Sequence, residues 1–348
     1  MEKPPMVVDL QLTFACNLRC RMCGQRGNKL AVDGAELSSG QWLDILGQVA
    51  VMGAKVSLWG GEPLASPHID AALAEIGRLG LPASMVTNGT LLAKRAGSVA
   101  NSGLGLLYLS IDGPPAIHDR VRGVPGTFAH IAEGLSALRQ ACAAAGRTPP
   151  RTVALSVMQR DNQDALAETV EAVRALGVDR LVFAPLMFIG DRVHLRQARF
   201  MEEKLDCQWL CSPGWDTQGL FADPGRVSEA LAALPGKKGG MEVATSLPQG
   251  VDLAAWQSQD TQLPPRKACL VPWRKLNVMP DGQCCFCGDF PDYKLGDAKR
   301  SSLAEIWNGP RARRFREVMR EHGPFPACRR CLWLHNDFIP SELERERY

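Results

Sequence analysis

Three cysteines near the start of the chain, Cys16, Cys20 and Cys23, stand in the run CNLRCRMCG with a C-x3-C-x2-C spacing. One short loop therefore supplies three thiolates, which are soft ligands suited to iron–sulfur clusters and to zinc. Three thiolates ligate three irons of a four-iron cube and leave the fourth iron open for a substrate or cofactor. A structural zinc site would need a fourth ligand from elsewhere, and the triplet alone leaves that alternative open.

A second group of cysteines lies near the end of the chain. The segment LNVMPDGQCCFC is typical of a β-hairpin, with a strand at residues 276–279 and a turn at 280–282. A hairpin can direct cysteines toward a common point, and a later C-x2-C pair would complete a four-thiolate site. Zinc is an alternative for this set as well. The four cysteines of this C-terminal set are Cys269, Cys287, Cys328 and Cys331.

The composition is that of a globular enzyme. The 348 residues are 45% hydrophobic and 22% charged, which is enough for one large α/β domain and a smaller one. A net charge of +3 does not favour nucleic acid as a partner. We find neither a signal peptide nor a run long enough to span a membrane, so we expect a cytoplasmic protein whose 12 cysteines serve as ligands or thiols rather than disulfides.

The elements that must position the first cysteines alternate between strands and helices. Apolar, β-branched runs predict six strands, at residues 7–13, 55–59, 83–87, 106–111, 153–158 and 180–184. Apolar residues recurring every three or four positions predict helices at 40–51, 68–79, 127–145 and 163–176. Six strand–helix units in succession predict a parallel sheet with right-handed crossovers.

Each unusual segment of this first half follows a predicted strand. The cysteine triplet follows the first, Gly60-Gly61-Glu62 the second, Asn88-Gly89 the third, and residues 110–113 the fourth. Barrels build their active sites from such carboxyl-end loops along successive strands, whereas open sheets bind ligands at one switch point. The pattern therefore favours a partial, six-unit (β/α)6 TIM-like barrel.

With the runs WGGEP (59–63), MVTNGT (85–90) and LSIDGP (109–114) after the triplet, the first 190 residues resemble the radical SAM superfamily. The resemblance implies a 4Fe-4S cluster on Cys16, Cys20 and Cys23, with S-adenosylmethionine on the open iron. It further implies reductive cleavage of that cofactor to a 5'-deoxyadenosyl radical, which takes hydrogen from a substrate, and an electron donor of the flavodoxin or ferredoxin type.

The same resemblance assigns cofactor contacts. Met22 would pack near the adenine, where many members carry an aromatic residue, and the turn with Gly60, Gly61 and Glu62 would hold the methionine ammonium. Other predicted contacts, to the ribose or the carboxylate, are Asn88, Ser110, Asp112 and, more weakly, Ser156. Each has a structural alternative, such as a carboxylate near a helix N-terminus for Glu62 and ordinary turns for Asn88 and Asp112.

The C-terminal pattern C-x12-G-x4-C with a late C-x2-C resembles the SPASM or shorter twitch extension of radical SAM barrels. The resemblance implies one auxiliary 4Fe-4S cluster on Cys269, Cys287, Cys328 and Cys331, in a small α+β domain with a β-hairpin. Cys284 or Cys285 could replace Cys287, but the gap after Gly282 favours Cys287. We expect the barrel at 1–190, a bridging insert at 191–265, the auxiliary domain at 266–340 and a tail at 341–348.

The bridging insert contains a helical pattern at 227–234 and two cysteines spaced four apart. Cys207 and Cys211 would share a face if that segment were helical. They are candidate hydrogen-atom donors, as are Cys285 and Cys284, although plain buried cysteines are the alternative.

The expected substrate is a small molecule, namely an amino sugar, an aminocyclitol or a nucleoside, which the enzyme would dehydrogenate or epimerise. This expectation rests on the triplet beginning at residue 16, which leaves no room before it for a peptide-binding domain. A maturase of a ribosomally made peptide is the alternative. A more distant alternative is a protein that binds nucleic acid through the basic run at 311–322. The simpler interpretation of that run is a surface helix whose arginines face outward and whose Phe315, Val318 and Met319 face inward.

Overall fold

The computed structural model describes residues 2–25, 35–258, 263 and 269–335. Six parallel strands form the centre of the sheet, each paired with the next along the chain. They are β1 (Val7–Gln11), β2 (Lys55–Trp59), β3 (Ala83–Thr87), β4 (Leu106–Ser110), β5 (Arg151–Met158) and β6 (Arg180–Pro185). The predicted parallel α/β fold is confirmed, with strand ends shifted by at most two residues.

Helices cross between these strands. They are α1 (Ser39–Met52), α2 (Ile69–Leu79), α3 (Leu92–Asn101), α4 (Pro115–Arg122), α5 (Thr127–Ala144), α6 (Leu166–Ala175) and α7 (Asp191–Leu205). The first is delimited by its sequence: Ser38 and Gln41 form a reciprocal capping box, and Gly53 ends the helix at φ 66°. The sequence pattern did not predict α3 and α4, which lie close to the loops after β3 and β4.

The sheet continues beyond the six strands on both sides. The insert contributes β8 (Met241–Thr245), parallel to β6, and β7 (Lys237–Lys238) at the edge. On the other side β9 (Lys275–Val278) pairs in parallel with β1. One sheet thus runs through the expected domain boundaries, which remain predictions.

The predicted C-terminal hairpin is present. Strand β9 pairs antiparallel with β10 (Gln283–Cys285) around Gly282, whose φ of 86° favours glycine. β10 pairs in turn with β11 (Gly296–Asp297). The remaining helices are α8 (Pro224–Ala233), α9 (Leu253–Gln257), α10 (Val271–Arg274), α11 (Leu303–Trp307), α12 (Pro310–His322) and α13 (Leu332–His335).

The basic helix α12 buries Phe315, Val318 and Met319, as its periodicity predicts. The expectation that its arginines all face outward is wrong for Arg316, which is 1% exposed. Its guanidinium lies over the rings of Phe286 and Trp307 and donates to the carbonyls of Pro272 and Trp307. Stacking and hydrogen bonds replace the hydration that the charge loses.

Alternate residues of the strands face two different cores. Those directed toward the helices belong to the large apolar core, whereas Tyr108, Leu155 and Val182 of the opposite parity pack together inside the curved sheet. Within the residues that the structure describes, every helix is too short or too polar to cross a bilayer.

Candidate active site

The cysteine triplet lies in the loop that leaves β1 at the carboxyl edge of the sheet. The Sγ of Cys16 accepts a hydrogen bond from the N–H of Leu18 at 3.4 Å, and the N–H of Cys23 donates to the carbonyl of Cys20 at 3.4 Å. None of the three forms a disulfide with a described residue, and all three are at least partly accessible. The loop therefore places three cysteine side chains at the carboxyl edge of the sheet.

Gly60 and Gly61 set the position of this loop. A Cβ on Gly60 would lie 2.8 Å from the carbonyl oxygen of Thr13, and one on Gly61 would lie 2.7 Å from the carbonyl oxygen of Phe14. The N–H of Gly61 donates to the Thr13 carbonyl at 2.9 Å. Both glycines are thus required for the close approach of two backbones, and their contact with a cofactor stays a prediction.

Glu62 joins the loops that follow β2 and β3. Its buried carboxylate accepts hydrogen bonds from the N–H of Leu64 at 3.0 Å, the hydroxyl of Thr87 at 2.6 Å and the N–H of Asn88 at 2.7 Å. Burial raises the pKa of Glu62, while these donors oppose the rise. The carboxylate caps the short 3₁₀ helix Pro63–Ala65, in line with the structural alternative for this residue.

Asn88 connects the β3 loop to the cysteine loop. Its Nδ2 donates to Oδ1 of Asn17 at 2.9 Å and lies 3.9 Å from the Sγ of Cys16. Its Oδ1 accepts from the N–H of Thr90 at 3.0 Å. Asn88 therefore lies beside the first predicted cluster ligand, and its contact with the ribose or the carboxylate of the cofactor stays a prediction.

Asp112 forms a buried ion pair with Arg122, with Nη2 2.6 Å from Oδ2. Its other oxygen accepts from the N–H of Val157 at 2.8 Å. Burial raises the pKa of Asp112, and the charge of Arg122 opposes this. A second nitrogen of Arg122 lies 3.7 Å from the Sγ of Cys20. Sequence reasoning missed Arg122; the only signal was a basic residue ten positions after Asp112.

The remaining predicted cofactor residues lie around this centre. Met22 is half-buried within the cysteine loop, and Ser110 is half-buried at the end of β4. Ser156 is fully buried beside Leu155, whose side chain lines the barrel cavity, so strand alternation places Ser156 on the helix-facing side. Its Oγ has no hydrogen-bond partner among the described residues.

The predicted auxiliary ligands converge. All four line a single cavity of about 150 Å³ between the barrel strands and the C-terminal segment: Cys269, Cys287, Cys328 and Cys331. Burial raises the pKa of Cys328 to about 12, and the pKa of Cys287 and Cys331 is raised well above the ordinary range, also chiefly by burial. Thiolates in this environment need nearby positive charge, which iron supplies.

Cys284 and Cys285 lie on β10, away from the cavity lining. Cys284 belongs to the main apolar core, and Cys285 packs with Phe14 and Met279. Their positions support Cys287 as the ligand over either of them.

Cys207 and Cys211 lie after the end of α7, so the shared helical face does not form. Cys211 is fully buried, and its N–H donates to Oδ1 of Asp292 at 3.1 Å. Cys207 donates to the carbonyl of Gln208 at 3.3 Å, and burial raises its pKa to about 11. Neither lines the cavity, and a hydrogen-donor role for either stays a prediction.

In the described part of the chain, no three His, Cys, Asp or Glu side chains converge tightly enough for a single metal ion. Each cysteine of a four-iron cube binds a different iron, so a cube holds its ligands farther apart than one zinc ion does. Sets made only of cysteine thiolates suit iron–sulfur clusters by the softness of their ligands. A reduced cluster held by Cys16, Cys20 and Cys23 would supply the electron that cleaves S-adenosylmethionine.

Comparisons with known proteins agree with this geometry. A family model described as the radical SAM superfamily matches residues 10–173, and an iron-sulfur cluster-binding domain model, SPASM, matches residues 269–332. The PqqA peptide cyclase of Rhodopseudomonas palustris is 27% identical over 350 residues, covering 96% of this chain and 81% of that protein. The PqqA peptide cyclase of Streptomyces rochei is 29% identical over 344 residues, which cover 96% of this chain and 83% of that protein.

Among solved structures, Streptococcus suis SuiB bound to precursor peptide SuiA aligns with a TM-score of 0.59 at 16% identity. The alignment covers 88% of this chain and 65% of that one, so this chain spans slightly less than two thirds of SuiB. At this identity the likeness shows the fold alone. The chain belongs to the radical SAM superfamily and carries a C-terminal SPASM domain, so its cofactors are S-adenosylmethionine, the 4Fe-4S cluster that binds it and an auxiliary iron–sulfur cluster.

Proposed function

We propose that this radical SAM enzyme acts on a ribosomally made peptide and joins two of its residues covalently. The observation that carries the proposal is the match to PqqA peptide cyclases over 96% of this chain and more than four fifths of each relative. The aligned region includes both the barrel and the auxiliary domain, hence both sets of cysteines.

The expectation of an amino sugar, aminocyclitol or nucleoside substrate is wrong, and with it the assignment as an oxidoreductase or epimerase of small molecules. The finding that overturns it is the name shared by these relatives, which act on a peptide. The expectation failed because it inferred the substrate class from the position of the cysteine triplet along the chain, and that position does not determine what enters the barrel.

The cavity supports a substrate inserted from outside. Barrel strands form one side of it and the auxiliary segment the other, with an apolar lining that excludes water from a reactive carbon. Joining two side chains removes two hydrogens: one leaves as an atom to the 5'-deoxyadenosyl group, and the other as a proton with one electron left for an acceptor. The four cysteines lining the cavity would hold a cluster suited to accept that electron.

The proposal can be tested with anaerobically reconstituted protein, S-adenosylmethionine, a reductant and synthetic peptides encoded beside its gene. We expect 5'-deoxyadenosine to form together with a peptide product lighter by two hydrogens. A variant with Cys16, Cys20 and Cys23 changed to Ala is the control and should yield neither product. Turnover of free amino sugars or nucleosides, with every peptide left unchanged, would contradict the proposal.

A further inference from the structure

Four neighbouring strands each carry a polar residue that is flanked on both sides by apolar residues. Strand register places them side by side: Ser84 opposite Ser57, Ser57 opposite Asp9, and Asp9 opposite Asn277. Residues in lateral register point to the same face of a sheet, and all four line the cavity inside the barrel. Each is 8% exposed or less. We name them the polar row.

Together with Lys275, the polar row carries no net charge. Lys275 lies two residues before Asn277 on β9, and its Nζ lies 2.6 Å from Oδ2 of Asp9. Burial raises the pKa of Asp9, and the charge and hydrogen bond of Lys275, followed by the neighbouring hydroxyl of Ser57, oppose this. Since the charge of Asp9 is already matched, a charged ligand group would be left without a counter-ion here.

Three polar atoms at the cavity have no hydrogen-bond partner within the described residues: Asp9 Oδ1, Asn277 Oδ1 and Trp59 Nε1. They belong to side chains that line the cavity. A Cβ built on Gly288 would lie 2.6 Å from Asn277 Oδ1 and would overlap the six-membered ring of Trp59, so both side chains pack against Gly288, the residue after Cys287. Buried polar atoms in native proteins are nearly always paired, with protein, water or ligand.

We propose that the polar row, with Trp59, is a substrate subsite that binds an uncharged amide group. The inference rests on the proposed function, since a peptide substrate supplies amides in its backbone and in side-chain carboxamides. Asp9 Oδ1 and Asn277 Oδ1 accept from the amide N–H groups, and Trp59 Nε1 donates to the amide oxygen. Apolar residues of the same cavity, such as Val86, Leu155 and Phe290, contact the hydrocarbon part.

A purely structural role explains only part of the arrangement. The Asp9–Lys275 ion pair does hold β9 against β1. That role uses Oδ2 alone, however, and gives no reason for two acceptors and one donor to line the same cavity without partners. Stabilisation of the strand pair would also be served by apolar residues of similar volume.

The test measures by calorimetry the affinity of the anaerobic, cluster-loaded enzyme for two probes, benzamide and acetophenone. Acetophenone has a methyl group in place of the NH2 group of benzamide. We expect wild type to bind benzamide about tenfold more tightly, because a bond to a charged acceptor contributes at that level. The double variant Asp9→Leu with Lys275→Met removes both charges together and should reduce the ratio to about one. Thr169→Ala is the control: Thr169 is equally buried, but its hydroxyl donates to the carbonyl of Ala165, the N-cap of α6.

A second variant, Asn277→Ala, removes one acceptor and keeps the ion pair, so a failure of the double variant to fold leaves the test intact. It should lower the benzamide preference several-fold while the iron content stays at the wild-type level. Equal affinity of wild type for the two probes, or an unchanged ratio in both variants, would overturn the proposal. The probes bind without any peptide, so this result is independent of whether the enzyme acts on peptides.

Discussion

Trp215 packs its indole directly on Gly24, the residue that follows Cys23, so closely that a Cβ at position 24 would overlap the ring. The Nε1 of Trp215 donates to the carbonyl of Asp289 at 3.2 Å, two residues after Cys287. The ring of Phe290 lies 5.6 Å away, centroid to centroid. One side chain therefore contacts both the loop of the first cluster and the loop of the auxiliary cluster.

Gly24→Ala should impair the first cluster, because either the ring or the loop carrying Cys23 must move. We expect iron to fall from about eight atoms per chain toward about four, with loss of the S-adenosylmethionine-dependent change in the electron paramagnetic resonance signal. Adding Trp215→Leu should relieve the overlap and restore part of the iron. Gly47→Ala is the matched control, since a Cβ at position 47 has nothing within 4 Å. Full iron loading of Gly24→Ala would contradict the packing argument.

Arg122→Met should have two separable effects. Removing the guanidinium leaves Asp112 buried without its counter-ion, which lowers the free energy of unfolding by about 3 kcal/mol. It also removes a positive charge 3.7 Å from the Sγ of Cys20, which should shift the reduction potential of the first cluster to more negative values. The double variant with Asp112→Asn should recover most of the stability, whereas the potential should stay shifted. Denaturation and a potentiometric titration measure the two effects, and an unchanged potential would rule out the electrostatic role.

The strand-end loops could be predicted from the sequence because carboxyl ends of parallel strands meet at one edge, whatever the details of the helices. Gly60, Glu62 and Asn88 are local to those ends. Arg122 is not: it reaches Cys20 only because α4 folds back beside the cysteine loop. The contact depends on a helix that the periodicity did not indicate.

Non-local pairing sets the second limit of sequence reasoning. The polar residue between apolar neighbours in VDL, VSL, ASM and LNV is visible in the sequence, but only the register shows that the four residues adjoin. The pairing of β9 with β1 joins segments more than 260 residues apart, and a short strand contains no signal for its distant neighbour. The substrate was missed for a related reason, since no local motif in the chain encodes it.

Cys287→Ala should abolish the auxiliary cluster, because Cys287 lines the cavity with the other three predicted ligands. Iron should fall from about eight to about four atoms per chain while the first cluster still binds S-adenosylmethionine. Cys285→Ala should retain about eight, since that thiol packs against Phe14 and Met279. Cys142→Ala, a buried thiol in the main core, is the control for loss of a cysteine as such. If Cys285→Ala lost iron and Cys287→Ala kept about eight iron atoms per chain, the ligand would be Cys285 and not Cys287.

His118 should make the fold sensitive to mild acid. Its Nδ1 accepts a hydrogen bond from the N–H of Asp112 at 3.2 Å. Burial and the charge of Arg122 lower the pKa of His118 from 6.5 to about 3, and the charge of Asp119 opposes this decrease. Between those values the unfolded chain binds a proton that the folded chain does not. Stability contributed by the neutral ring is therefore complete above pH 6.5 and declines as the pH falls toward 3.

Lowering the pH from 7 to 5.5 should therefore remove about 1 kcal/mol of stability through His118 alone. In His118→Asn the amide oxygen can accept the same hydrogen bond and does not titrate, so the loss measured by urea denaturation should shrink by that amount. His130→Asn, at an exposed position on α5, should keep the wild-type loss, which separates burial from the mere presence of histidine. An identical pH dependence of wild type and His118→Asn would mean that the ring is not held neutral by its surroundings.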